Sequence, residues 1–288
     1  MRIWVVIPSV GRSHVLRNTV AHLNKQVRRP EGVVLVGACD ADVEGVAEVA
    51  PETTIIIAER GLCAQRNAGM KIAAPQSDLL IFFDDDFVPR TDFLLNAESV
   101  FCARQDLVGA TGRLIADGAR TGPIDFEAAC EMVANDDIPT DAPDVDQEAL
   151  YGCNMLVRTA VLDGLQFDEK LPLYGWQEDV DFTYQVGRRG RMILSPRLGG
   201  VHMGVTSGRL SGKRLGYSQI ANPIYLLRKR TMPHKLARRL MVRNFSSNLA
   251  NTILVGRKVG RPSRLLGNMM AIRDYFTGRL DPRRITEF

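Results

Sequence analysis

The chain has 288 residues, 45% of them hydrophobic and 24% charged, with a formal net charge of +4, so it has apolar residues enough for a sizeable core in one large domain or two and intrinsic disorder is excluded as its default state. Five widely spaced cysteines, Cys39, Cys63, Cys102, Cys130 and Cys153, form no C-x-x-C pair, which argues against a zinc ribbon or disulfide framework and for a reducing cytoplasm. Residues 1–8 are too short and too soon broken by proline for a signal peptide, and no run of about 18 apolar residues occurs, so neither export nor a membrane span is expected.

Short apolar runs rich in β-branched residues recur at 3–7, 33–36, 53–57 and 79–83, separated by stretches with helical patterning. That alternation predicts an α/β fold with a parallel sheet flanked by helices. Ser13 opens a helical pattern with Val15, Leu16, Val20 and Leu23 apolar, and residues 62–73 make a second, alanine-rich one. Open sheets of this kind bind ligands beyond the carboxyl ends of their strands, where Pro8-Ser9-Val10-Gly11-Arg12, Cys39-Asp40 and Asp84-Asp85-Asp86 fall. Three adjacent carboxylates after a buried strand repel one another unless a cation or a basic partner sits among them. A divalent metal carrying a phosphorylated ligand is the natural occupant.

Residues 92–104 read as a helix and 107–114 as a strand. The segment 115–150 holds ten acids and one arginine, and with Pro139 and Pro143 it reads as a long surface loop with one helix near 126–133. A strand over 151–158 follows. Glu178, Asp179 and Asp181 then occupy the first turn of a helix running to about residue 189, where acids suit the positive end of the helix dipole. Residues 192–194 and 198–203 read as two short strands, the second carrying His202. Gly204, Gly208, Gly212 and Gly216, interleaved with Arg209, Lys213 and Arg214, read as a mobile basic loop. Helices are expected over 217–229, 235–255 and 264–276, and His14, His22 and His234 are expected at the surface.

The net charge conceals an asymmetry. Residues 182–288 hold 22 Lys+Arg against 3 acids, which leaves 15 basic and 30 acidic residues, of totals of 37 and 33, for residues 1–181. Such a division points to an anionic partner for the C-terminal part, or to a solvated basic face docked against the acidic part.

The order Ile7-Pro8-Ser9, Arg66-Asn67-Ala68-Gly69, Phe83 through Asp86, Gly152-Cys153-Asn154 and Trp176-Gln177-Glu178-Asp179 resembles inverting glycosyltransferases of family 2, over roughly residues 3–203. The resemblance implies a GT-A fold, with nucleotide-sugar binding over roughly 1–114, an acceptor and catalytic part over roughly 150–203, and a basic helical extension over 204–288. It implies a nucleotide diphosphate sugar donor and a divalent cation held through an Asp-x-Asp motif, which Asp84 and Asp86 match, with Asp84 reaching the ribose or the metal through water and Asp85 in a neighbouring role. Asp179 matches the catalytic base, Glu178 is expected to orient the acceptor, and Asp181 is the runner-up base. His202 matches a metal-binding histidine, and its imidazole favours Mn²⁺ over Mg²⁺. Pro8, Ser9, Arg12 and Arg66 match the nucleotide-binding positions.

At the base-binding end the chain departs from the family pattern, reading Val36-Gly37-Ala38-Cys39-Asp40-Ala41-Asp42. Asp40 is taken for the base or ribose contact, and UDP-, dTDP- and GDP-linked donors all stay open. Trp176, with Tyr174, could stack on a sugar face or lie in the core.

The residue types suit the chemistry. A sugar diphosphate leaving group develops charge that a divalent cation stabilises, and hard cations take oxygen ligands. Inversion is a single displacement, so a base must accept the proton of the attacking hydroxyl. The donor site is expected between Asp84/Asp86 and Asp179, with His202 completing the metal shell and the loop from Gly204 closing over it. The tail, with Asn222-Pro223 and residues 225–229, resembles enzymes that build bacterial surface polysaccharides, which implies a lipid-linked glycan acceptor and a cytoplasmic enzyme peripheral at the inner membrane face. Arg238, Arg239, Arg243, Arg257, Lys258, Arg261 and Arg264 would face that anionic surface; otherwise the apolar stripes pack on the domain or on a second subunit as a homodimer. No nucleic-acid motif accompanies the charge. A sugar nucleotidyltransferase, which would need a glycine-rich N-terminal loop with a catalytic lysine, and an idle glycan-binding scaffold are the alternatives.

Overall fold

The computed structural model describes residues 1–137, 142–206, 211–254 and 261–288. Pro139, Gly208, Arg209, Arg257, Lys258 and the side chain of Arg261, named above, lie outside the described residues. In chain order the elements are β1 (Ile3–Pro8), α1 (Ser13–Leu23), β2 (Gly32–Gly37), α2 (Val46–Val49), β3 (Thr54–Ile57), α3 (Leu62–Ala73), β4 (Leu79–Phe83), β5 (Phe87–Pro89), α4 (Phe93–Ala103), β6 (Leu107–Asp117), α5 (Gly118–Thr121), α6 (Phe126–Ala134), β7 (Val145–Asp146), β8 (Asn154–Arg158), α7 (Glu178–Gly187), β9 (Arg191–His202), α8 (Gly212–Lys229), α9 (His234–Leu254) and α10 (Arg261–Phe276).

The strands form one sheet in the order β3-β2-β1-β4-β8-β6-β9-β5, with β7 paired to β9. The run from β3 to β4 is parallel, as the alternation of strand and helix requires. β8 enters antiparallel between β4 and β6, and β6 and β9 are again parallel. This is the α/β architecture expected from the alternation. Ile3, Val5, Ile7, Leu35, Ile81 and Phe83 on the strands pack with Leu16, Val20 and Leu23 of α1 and Phe93 and Leu94 of α4 to make the main core.

The chain divides into two compact units, one of residues 1–60, 64–166 and 185–208, the other of residues 61–63, 167–184 and 209–288. The sheet belongs to the first. In the second, Tyr217, Ile220 and Ala221 of α8 pack with Ala271 of α10 and Ile285. Among the described residues no helix is long and apolar enough to cross a membrane.

Three local expectations are corrected. The two short strands over 192–194 and 198–203 are one strand, β9, whose pairing with β6 shifts register between Gly112 and Leu114 and again before Ala116. Bulges absorb the irregularity around Pro196, so the run continues. Gly212 and Gly216 are helical, because Ser211 caps α8 by accepting from Arg214 N at 3.4 Å. Gly216 meets the α10 backbone so closely that a Cβ on it would lie 2.0 Å from Arg264 O, and one on Gly267 would lie 2.1 Å from Lys213 O. These glycines allow two helices to touch; they do not loosen a loop.

The third correction is His22, which is buried at 4% exposure. Its Nε2–H donates to Pro89 O at 2.8 Å and its ring meets Phe126 edge to face. Burial lowers its pKa, against the opposing pull of that hydrogen bond. The unfolded chain therefore binds this proton more readily than the folded one. Stability associated with His22 is present above its unfolded pKa of about 6.5 and is lost as pH falls below it. Melting curves between pH 8 and 5 should show a drop that is shallower in His22→Gln than in the wild type; equal slopes would assign the drop to other groups.

Candidate active site

β4 ends and β5 begins with only Asp84, Asp85 and Asp86 between them, so the triplet forms a tight turn, closed by Phe87 N donating to Asp84 O at 3.1 Å. Asp84 N is tied to Cys153 O at 3.1 Å, and Asp86 O accepts from Met203 N at 2.9 Å, beside the end of β9. Phe83 and Phe87, which flank the turn, are tilted against each other and both meet Phe93 edge to face.

The three carboxylates have different surroundings. Asp84 is ion-paired at 2.8 Å with Arg66, whose fully buried guanidinium also donates to Gly152 O. Asp85 is fully buried, accepts from Ser9 Oγ at 2.5 Å and pairs with Arg12 at 2.8 Å. Asp86 accepts from Val205 N at 2.8 Å and faces Arg12 Nη1 and His202 Nε2, each at 3.4 Å. Arg66, Arg12 and His202 thus supply the basic partners that three adjacent acids require.

Protonation follows these partners. Burial pushes the Asp85 carboxyl up to about 7, with Arg12 opposing it. For Asp86, burial acts the same way but the hydrogen bond and charge of His202 outweigh it, holding the carboxyl below the usual range. Burial alone would lower the His202 pKa, yet its bonds to Asp117 and Asp86 raise it to about 10. Asp117 Oδ1 meets His202 Nδ1 at 2.9 Å.

Asp84, Asp86 and His202 each present a donor atom within 4.8 Å of the others, a set that could hold a metal ion. Two carboxylates and an imidazole make a donor set that a divalent cation could occupy.

At the mouth of β1, Pro8 is the last strand residue, and buried Ser9 is held by Val36 O and by Gln65, whose Nε2 bridges Ser9 O and Val36 O at 3.0 and 2.7 Å. Ser9, Arg12, Asp85, Asp86 and His202 form one connected network, and the Arg66–Asp84 ion pair stands beside it on the same turn. Asp40 is exposed and outside it. Its neighbour Asp42 is buried and accepts from Gly11 N, Ala38 N and Cys39 N at 2.6, 2.8 and 3.1 Å, so it ties the β1 and β2 loops together. The sequence reading did not single out Asp42; two acids one residue apart leave open which of them turns inward.

In the second unit, Leu173, Gly175 and Gln177 all have left-handed backbones, with φ of 59°, 63° and 70°. Two non-glycine residues in that region within five positions are strain of the kind that surrounding structure must hold in place. Trp176, half-buried, has its carbonyl held by Asn222 Nδ2 at 2.8 Å and its ring tilted 30° to Tyr174. Glu178 is buried and starts α7 with its N–H on Gly175 O at 2.7 Å. Half-buried Asp179 accepts from Val180 N at 2.8 Å, and Thr183 Oγ1 donates to its carbonyl at 2.6 Å.

Asp181 is fully buried, 2.7 Å from Lys229 Nζ, which also pairs with Asp168 at 2.7 Å, while Tyr225 OH donates to Asp168. Burial raises the Asp181 pKa even against Lys229. This cluster fastens α7 to α8. Lys229→Met would leave Asp181 buried without its cation, an error that costs about 3 kcal/mol in comparable buried pairs. The expected result is a clear fall in the urea midpoint, and an unchanged midpoint would show the pair to be dispensable.

The description "Glycosyltransferase like family 2" belongs to the family model that matches residues 2–196 of this chain. The chain is a family 2 glycosyltransferase. Among solved structures, S. aureus TarS residues 1–349 align with a TM-score of 0.59 at 15% identity, covering 100% of this chain and 90% of that one. TarS 1–349 in complex with UDP-GlcNAc aligns with a TM-score of 0.58 at 14% identity, covering 100% and 91%, and its UDP complex with 0.59 at 15%, covering 100% and 90%. At that identity the likeness is one of fold, here the GT-A fold. No curated protein matches the chain.

Proposed function

We propose that this glycosyltransferase is metal-dependent and inverting, and that it moves a sugar from a nucleotide diphosphate to a glycan acceptor. The observation that carries the reading is the convergence of Asp84, Asp86 and His202 on one point at the carboxyl end of the sheet. A divalent ion bound there would neutralise charge developing on the departing diphosphate. Pro8, Ser9, Arg12, Arg66 and Asp85 build the floor and walls of the donor site, and Asp40, exposed at the mouth of β2, is kept as the base or ribose contact. Uridine is the base to test first, since TarS has been crystallised with UDP-GlcNAc and with UDP.

Asp179 takes the proton of the acceptor hydroxyl, Glu178 orients the acceptor, and Trp176 offers an aromatic face to a sugar. Asp181, engaged by Lys229, holds the helix that carries Asp179 and Glu178. Residues 1–203 are proposed as the catalytic part. Hydrolysis of nucleotide sugars, assayed with Mn²⁺ and again with EDTA, tests the reading. Loss of turnover in EDTA and recovery with Mn²⁺ is the expected result; full turnover in EDTA sinks the metal.

The C-terminal helices are proposed to rest on an anionic membrane surface, as a lipid-linked acceptor at the cytoplasmic face would require. α9 contains no acidic residue and exposes Arg238, Arg239 and Arg243 beside Val242, Leu249 and Ile253. α10 exposes Leu266, Met269 and Phe276 along one face, and its single acid, Asp274, is buried. Apolar stripes on basic helices whose one acid is buried suit anionic lipid better than a second copy of the same basic face. Sedimentation with phosphatidylglycerol vesicles, and not with phosphatidylcholine vesicles, is expected; equal behaviour with both would remove this part of the reading.

A further inference from the structure

β6 and β9 run parallel, and after their three register shifts Asp117 pairs directly with His202. On its other side His202 pairs with Phe87, the residue after Asp86. The histidine therefore sits between two carboxylates, with Nδ1 2.9 Å from Asp117 Oδ1 and Nε2 3.4 Å from Asp86 Oδ1. It is 7% exposed.

Asp117 is itself held from several directions. Ala119 N donates to Oδ1 at 3.2 Å, Arg120 Nε lies 3.1 Å from Oδ2, and Tyr151 OH donates to Oδ2 at 3.4 Å. The Tyr151 ring also meets the imidazole edge to face, at 6.0 Å between centroids. Close backbone contact makes the arrangement achievable. A Cβ on Gly118 would lie 2.0 Å from Met203 O, and one on Gly204, whose φ is +68°, would lie 2.2 Å from Gly118 C. The residues following Asp117 and His202 are thus pressed together by glycines that no side chain could replace.

We propose that Asp117 is a positioning residue for the cation site: by accepting a hydrogen bond from Nδ1–H it keeps that nitrogen protonated and fixes the ring plane of His202, leaving Nε2 directed at the point shared with Asp84 and Asp86. The inference rests on the reading of Asp84, Asp86 and His202 as cation ligands. Imidazoles that ligate metals characteristically donate their other nitrogen to a carboxylate or carbonyl, and loss of that partner costs about 10–100-fold in affinity. Among the described residues the set converging there is Asp84, Asp86 and His202, and Asp117 is not one of its members.

Mn²⁺ binding by calorimetry on the full chain, without donor or acceptor, tests this, using wild type, Asp117→Asn, His202→Ala and the double variant. A carboxamide in place of Asp117 can donate to Nδ1 and favour the wrong tautomer. Asp117→Asn should weaken Mn²⁺ at least tenfold, and the ¹⁵N signals of His202 should shift in the metal-free protein. In the His202→Ala background the same change should have no further effect, which a merely structural role would not produce. If His202→Ala weakens Mn²⁺ while Asp117→Asn does not, the positioning role falls and the cation site stands. If the wild type binds no Mn²⁺, or His202→Ala binds it normally, the cation reading falls and takes this inference with it.

Discussion

Asp179→Asn is expected to lower the transfer rate about a thousandfold, within the 10²–10⁴ range of a general base, while leaving donor affinity near that of the wild type. The carboxamide cannot accept the acceptor's proton. It can still accept from Val180 N, which Asp179 Oδ1 meets at 2.8 Å, so the first turn of α7 should survive. A melting temperature within a few degrees of wild type should accompany the loss, consistent with a half-buried hydrogen bond of modest net worth that the amide oxygen can still accept. Full transfer by the variant, with a verified acceptor, would take the base role from Asp179. Because Asp181 is committed to Lys229, Asp181→Asn should instead act through stability, and comparison of the two variants separates chemistry from scaffolding.

Asp86→Asn should be as severe by another route. Removing one preorganised electrostatic stabiliser costs about 10²–10³ in turnover, and a ligand carboxylate also sets metal affinity. Asp86 further accepts from Val205 N and faces His202 and Arg12, so its charge organises the residues around it. The isosteric amide keeps the volume of a side chain that is 3% exposed. The expected pattern is weakened Mn²⁺ binding together with lost turnover, partly recovered at millimolar Mn²⁺. Normal Mn²⁺ affinity in Asp86→Asn would remove it from the ligand set.

Much of the architecture was legible in the residues. The apolar runs that became β1, β2 and β4 are hydrophobic on nearly every position, as strands buried on both faces must be, β3 lies half-exposed at the sheet edge, and the alternation of all four with amphipathic stretches specified the parallel half of the sheet. The segment 192–203 was less legible, because Pro196 and two glycines interrupt its pattern and only pairing with β6 shows that bulges carry the strand through. His22 and Gly216 depart from the local pattern for a related reason. A histidine is apolar enough to bury when a carbonyl faces it, and a glycine marks a loop or a close helix contact with equal ease. Partners distant in the chain decide between those outcomes.

The site divides the same way. By itself the sequence determined the family, the acidic turn at Asp84 to Asp86 and the residue types available for metal and base chemistry, since these depend on local pattern and motif order. Only the tertiary structure decided which groups answer the acids: Arg66 for Asp84, Ser9 and Arg12 for Asp85, His202 for Asp86, and Asp117 behind His202. It also turned Asp42 inward and left Asp40 exposed. The physical reason is range. Strand propensity and hydrophobic period act over a few residues, whereas a buried carboxylate is satisfied by whichever donor the sheet register brings within about 3 Å, and that register joins positions as far apart as 117 and 202.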